Sequence, residues 1–261
     1  MTLIKHELKT GKNSLIIWTA IIAFMLALCI FIYPQMGSQM SEISGMFANM
    51  GSFSTAFGMD KINFGEFSGF FAVECGNVLG LGGAFFAALL GISALSKEEK
   101  EHTAEFLLTH PISRTAVVLH KLCASVLQLI ILNLAVAGVT ALSVLIIGEE
   151  PDVYKLFLLF LAYFIMQLET CAICFGISAF ISSNSAGIGL GAAALFYFLN
   201  IVANLTEKAE FLKFLTPFGY TDGADILSSG KIELKYLTLG LIFTVIGIAA
   251  AFYKYNKKDI A

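Results

Sequence analysis

The chain has 261 residues, of which 57% are hydrophobic and only 13% charged, with a net charge of −3 and a mean hydropathy of +0.82. That apolar excess excludes a water-soluble globular domain. The slightly acidic balance offers no basic surface for nucleic acid.

Residues 2–12 alternate apolar and basic positions, with Ile4 and Leu8 one turn apart, and predict an amino-terminal interfacial elbow helix. Within it, His6-Glu7-Leu8-Lys9-Thr10 starts like a zinc-protease HExxH motif but ends in Thr10, and no second histidine completes a ligand set. Five segments exceed the roughly 18–20 apolar residues that cross a bilayer, and a sixth joins them with some tilt. They fall at roughly 14–33, 70–95, 115–147, 154–181, 186–205 and 235–254. The first has too long an apolar run for a cleaved leader, and Tyr33-Pro34-Gln35-Met36 is a poor cleavage site, so it is expected to remain in the mature protein. Residues 34–69, rich in Gly, Ser, Met and Phe, read as a semi-ordered outer connection. The second span carries Gly76 and Gly80 in a GxxxG spacing, and the fifth repeats the theme with Ser183, Gly187 and Gly191. Small residues four apart let membrane helices approach closely, which makes these helix-packing faces, within one subunit or between two.

A charged stretch joins the second and third spans. Ser96 and Glu99 form a capping box that starts a new helix, and Pro111 disfavours helical geometry at His110 and ends it. At about 3.6 residues per turn, Glu98, Glu101, His102, Glu105 and Thr109 share one face. Thr103, Ala104, Phe106, Leu107 and Leu108 fill the other. The result is an amphipathic helix at about 97–109, either resting on lipid headgroups or offering a docking surface to a soluble partner. The later connection, about 206–234, holds Phe211, Leu212, Phe214, Leu215 and Phe218 before a polar turn at Tyr220-Thr221-Asp222-Gly223. So apolar a segment predicts short helices dipping into the outer headgroup region.

Lysine and arginine placement orients the six spans. With the amino terminus inside, Lys5, Lys9, Lys12, Lys97, Lys100, Arg114, Lys121, Lys254, Lys257 and Lys258 lie inside, ten of the 16 basic residues, leaving six outside. Both termini are therefore expected on the cytoplasmic side. The five cysteines, Cys29, Cys75, Cys123, Cys171 and Cys174, lie in or beside apolar spans, and an odd count argues against a disulfide framework. Cys171 and Cys174 form a lone CxxC that reads as packing.

Two carboxylates fall inside the spans, where an unpaired charge is expensive: Glu74 near the outer end of the second, and Glu169 near the middle of the fourth. One reading places them on a translocation path that contacts a proton, an ion or a cationic substrate. The other buries them in hydrogen bonds to amides on neighbouring helices, with Asn77, Gln128, Asn133, Gln167 and Asn200 as candidates. No GxxxxGK[ST] phosphate loop occurs, so the chain does not cradle ATP by that route.

The run from Glu98 to Arg114, with Lys121 beyond it, resembles a pattern in the permease subunits of ABC-2 type ATP-binding-cassette transporters. The shared elements are an acidic run, Thr103-Ala104-Glu105, the leucines Leu107 and Leu108, Pro111-Ile112-Ser113-Arg114 and a downstream lysine. His102 stands where many members carry glycine. Phe214-Leu215-Thr216-Pro217-Phe218, with Tyr220 and Asp222, is similar to the outer loop of the same group. The resemblance spans the whole chain, 1–261, as one transmembrane domain. It implies an all-α integral membrane protein of the ABC-2 exporter fold, with six transmembrane helices, an elbow helix, a cytoplasmic coupling helix and an amphipathic outer segment before the last span. It implies a non-catalytic half-transporter in the cell membrane, paired with a second permease subunit as homodimer or heterodimer and seated on a separate cytoplasmic ATPase. ATP and Mg would bind that partner, and this chain would hold no cofactor or metal. Glu98, Glu101, Thr103, Glu105, Leu107, Leu108 and Arg114 would form the ATPase contact. The expected cargo is an amphipathic peptide, a drug-like or a lipid-like solute moved outward. The contrasting expectation is an ATPase-independent secondary carrier or channel working through Glu169 and Glu74, and a third is a membrane anchor or sensor.

Overall fold

The computed structural model of the chain describes residues 2–48, 51, 54–55, 62–63, 66–97, 112–181 and 186–257. Six helices are long and apolar enough to cross a membrane, and no strand occurs among the described residues. Helices are the expected solution, because a lipid environment leaves every backbone N–H and C=O to be satisfied within its own segment.

Helix α1 (Thr2–Ala48) runs unbroken through Gly11 and Pro34. The amino-terminal residues are thus helical but continuous with the first span, instead of forming an elbow of their own. Contacts explain this: Leu3 is buried against other helix ends, Glu7 pairs with Lys121, and Gly11 lies beside the side chain of Gln128. The helix also continues past Pro34, where an irregular connection was expected. Proline removes one backbone hydrogen bond, but the remaining ladder is still the cheapest arrangement for a chain in lipid.

The second crossing, Phe67–Ala94, consists of α2 (Phe67–Cys75), a π-helical turn (Gly76–Gly80) and α3 (Leu81–Ala94). Helix α4 (Arg114–Ile147) starts at Ser113, whose hydroxyl accepts from the Ala116 N–H at 3.2 Å, and stops at Gly148, where φ is +75°. Asp152 then caps α5 (Val153–Ser178) through the N–H groups of Tyr154 and Lys155. Helix α6 (Ala186–Leu205) leads into a 3-10 stretch (Glu207–Leu215) and the short α7 (Gly223–Ser229), which Asp222 caps. Helix α8 (Leu234–Lys257) ends the described chain.

The principal pairings are α3 with α5, α1 with α4, α8 with α5, and α6 with α3. Helix α5 is therefore the central post, and glycines bring its neighbours close. Gly83 leaves room for the Gln167 side chain, Gly91 lies against the α5 backbone at Cys171 and Phe175, and Gly176 of α5 meets Gly247 of α8. Where two backbones approach this closely only glycine fits. Most of the core forms one cluster, and a second, smaller cluster ties the helix ends on the side where α1 begins and α8 finishes.

Candidate coupling end and intramembrane carboxyls

The stretch 98–111 lies outside the described residues, and with it Glu98, Glu101, Thr103, Glu105, Leu107 and Leu108. Both of its anchor points are described. On the amino-terminal side α3 ends at Ala94, Leu95 is buried, and the Ser96 hydroxyl donates back to the Ile92 carbonyl at 2.8 Å. On the other side Ser113 caps α4, and the Arg114 guanidinium donates to the carbonyls of Tyr255 and Asn256 at 3.4 and 3.5 Å. Thr115 adds a bond to the Asn256 side chain at 3.3 Å. The last carbonyls of a helix have no intrahelical partner and carry the negative end of its dipole, so a guanidinium there both completes their bonding and favours the charge. Arg114, grouped by resemblance with the docking residues, thus binds the end of α8 within its own chain.

Around these anchors Leu3, Leu95, Val117, Phe175, Ala251 and Tyr255 form one buried cluster. They come from α1, the end of α3, α4, α5 and α8. Above the cluster the Lys121 ammonium, 1% exposed, donates to Glu7 at 2.9 Å. A displacement of the charged stretch would act on this shared joint, not on a single helix.

Glu169 is 3% exposed, and its carboxyl accepts a hydrogen bond from the Tyr220 hydroxyl at 2.8 Å. Gly240 of α8 supplies the space, since a Cβ at that position would overlap the carboxyl. The partner is therefore a tyrosine from the outer segment and not an amide of a neighbouring span. Three of those amides are engaged elsewhere: Asn133 donates to Gln167 at 2.6 Å, and Asn77 accepts from the Tyr197 hydroxyl at 3.3 Å. Burial and the adjacent Glu169 push the Tyr220 hydroxyl well above the usual phenol range, which keeps it a donor.

Further bonds pin the outer segment into the bundle. The Tyr163 hydroxyl donates to the Thr221 carbonyl at 3.0 Å, Thr216 donates to the Phe196 carbonyl at 2.7 Å, and Asn204 donates to Asp222 at 3.2 Å. At its exposed edge, a hydrogen bond from Tyr236 and the Lys235 ammonium hold Glu210 below the usual carboxylate range. Tyr220→Phe deletes one donor and leaves the buried Glu169 carboxyl without it, a loss expected to cost about 1–3 kcal/mol. Thermal unfolding in detergent measures this, and an unchanged midpoint would mean that the bond holds nothing.

Glu74 is half-buried and accepts from the Cys29 thiol of α1 at 3.5 Å. It shares no hydrogen-bond partner with Glu169 among the described residues, so the structure does not join the two carboxyls into one site. Gly76 and Gly80 lie in the π turn with Tyr163 of α5 against them, a contact inside one chain. Gly187 and Gly191 have no heavy atom near the place a Cβ would take, whereas Gly189 between them packs on Ala88 and Ile92. Gly189, Gly176 and Gly247 escaped the sequence reading because none stands in a GxxxG spacing with a second contact glycine. Cys171 and Cys174 are buried and free, and no metal-holding group of His, Cys, Asp or Glu side chains occurs among the described residues.

Six apolar crossings define a multi-pass membrane protein. The chain belongs to the ABC-2 family transporter proteins, whose family model matches residues 1–260. It is thus the membrane component of a transporter, a type of subunit that is generally non-catalytic and generally works with an ATPase. No characterised protein matches the sequence.

Proposed function

We propose that this chain is the permease subunit of an ATP-driven exporter in the cell membrane, docking on a separate cytoplasmic ATPase through the charged stretch at about 97–109. Two permease subunits, identical or related, would each sit on one ATPase, with ATP and Mg held there and both permease termini in the cytoplasm. An amphipathic peptide, a drug-like or a lipid-like solute would move outward. The observation that carries this reading is the anchoring of the stretch at both ends. Ser96 and Leu95 on one side and Ser113 and Arg114 on the other tie it to the joint shared by α1, α3, α4, α5 and α8. A rigid junction passes on a displacement that a loose loop would absorb. The closure of Glu169 between Tyr220 and Gly240 supports a packing role for that carboxyl, which leaves an ATPase-independent carrier with less to work through.

The test is gentle purification of the tagged chain from its native membrane, with identification of the co-purifying proteins and an assay of ATP hydrolysis. A nucleotide-binding subunit is expected to accompany the wild-type chain and to be lost in Glu105→Lys, with membrane insertion unchanged. Retention of that subunit by Glu105→Lys would count against the docking assignment.

A further inference from the structure

Helix α6 packs on α3, and α8 packs on α5, which leaves a groove of about 510 Å³ between α6 and α8 with α5 as its floor. That volume lies within the roughly 300–1,000 Å³ typical of small-molecule sites. Every lining residue is apolar. The floor is preformed, because Gly176 and Gly247 meet backbone to backbone there and fix α5 against α8. Leu215 and Phe196 line the groove toward the outer segment, and Phe180 and Ala250 line it toward the ends of α5 and α8. At that second end the Lys254 ammonium lies 5.7 Å from the centre of the Phe180 ring, and it makes no ion pair among the described residues. The walls contain no acidic residue: none occurs in α6, in α8, or in α5 beyond Glu169. The groove therefore combines an apolar slot with a lysine at its mouth, at the level where lysines near helix ends reach the headgroups.

We propose that this groove holds an acyl chain of an anionic phospholipid whose headgroup sits at Lys254. The apolar lining takes the chain, the ammonium takes the phosphate, and the absence of carboxylates on the walls removes any repulsion of that phosphate. This assignment stands apart from the ATPase-docking reading and does not depend on it.

The experiment uses the full chain in detergent, incubated with phosphatidylglycerol and phosphatidylcholine of identical acyl composition in equal amounts, with retained lipid counted by native mass spectrometry. Phosphatidylglycerol is expected to be retained in preference. Lys254→Ala is expected to reduce that preference about fivefold, the effect of one basic residue near an anionic surface, while leaving chain binding itself. Ala250→Phe, which fills the slot, is expected to lower retention of both lipids. Equal retention of the two lipids by the wild type, or an unchanged preference in Lys254→Ala, overturns the proposal. So does efficient disulfide cross-linking between two copies carrying Ile246→Cys, which would assign the groove to a second permease chain.

Discussion

Glu7→Ala is expected to destabilise the folded chain by about 1.5–3 kcal/mol, the contribution of a hydrogen bond between charged groups at a largely buried site. The magnitude rests on burial: the Lys121 ammonium is 1% exposed and the Glu7 carboxylate 18%. A solvated pair on a surface would contribute only about 0–1 kcal/mol. The two truncations should also differ. Glu7→Ala takes one acceptor from the more deeply buried charge, whereas Lys121→Ala leaves a carboxylate that reaches water in part, so the first should be the worse. Combining the two should recover part of the loss, because the double variant removes both members of the pair. Unfolding midpoints of the four chains in one detergent decide the matter, and a loss below about 1 kcal/mol for Glu7→Ala would place the pair among solvated surface bridges.

The second large effect belongs to Gly91. A Cβ there would lie 2.9 Å from both the Cys174 Cβ and the Phe175 backbone nitrogen, and closer still to the Cys171 carbonyl. Two of these three atoms belong to the backbone and have no rotamer through which to retreat. Gly91→Val must therefore push α3 from α5 at the principal helix pairing of the fold. The expected loss is about 3 kcal/mol or more, at the upper end for overpacked cores because backbone atoms cannot yield. It should be seen as absence of a monodisperse species in gel filtration. Gly191→Val is the matched control, since nothing lies within 4 Å of its Cβ position, and stability should change by no more than about 0.5 kcal/mol. If Gly191→Val instead shifts only the balance between one copy and two, the open face of α6 is where subunits meet. Equal behaviour of the two variants would defeat the packing argument.

The contrast between Gly91 and Gly191 also marks what could be read from the chain alone. The six crossings were readable because lipid tolerates only long apolar helices, and the fifth span coincides with α6 from Ala186 to Leu205. The first was underestimated because its early turns are polar, and they stay in line through long-range contacts to Lys121 and Gln128 that no local pattern announces. Which glycines touch a neighbour was not readable. Spacing marks a small-residue face, but Gly76, Gly80 and Gly191 look alike in sequence and only the first two meet a partner. The Glu169 carboxyl was visible as an anomaly, yet its partner was not. Tyr220 belongs to a turn whose polar residues suggest solvent, and Gly240 is one small residue in an apolar run. Arg114 was visible as part of a motif, whereas its acceptors are backbone carbonyls, which leave no trace in residue identity. The amphipathic stretch between the second and third spans remains a reading of pattern and resemblance.

The polar pairs inside the bundle differ widely in how much chain separates their members, and that difference sets a timetable for biogenesis. Asn133 and Gln167 are 34 residues apart and lie on the two arms of one helical hairpin, α4 and α5. Their bond can form as soon as the second arm enters the bilayer, so these amides need not travel far without a partner. Tyr220 and Glu169 are 51 residues apart, and the tyrosine arrives only after α6 has crossed. Lys121 and Glu7 are separated by 114 residues, so the carboxylate of the first helix must wait through an entire further crossing for its cation. Assembly should therefore begin when α4 enters beside α1, continue as α5 closes the amide hairpin on α4, and finish when the outer segment folds down over it. A chain arrested during synthesis just after α5 would already contain the amide pair and lack the tyrosine latch.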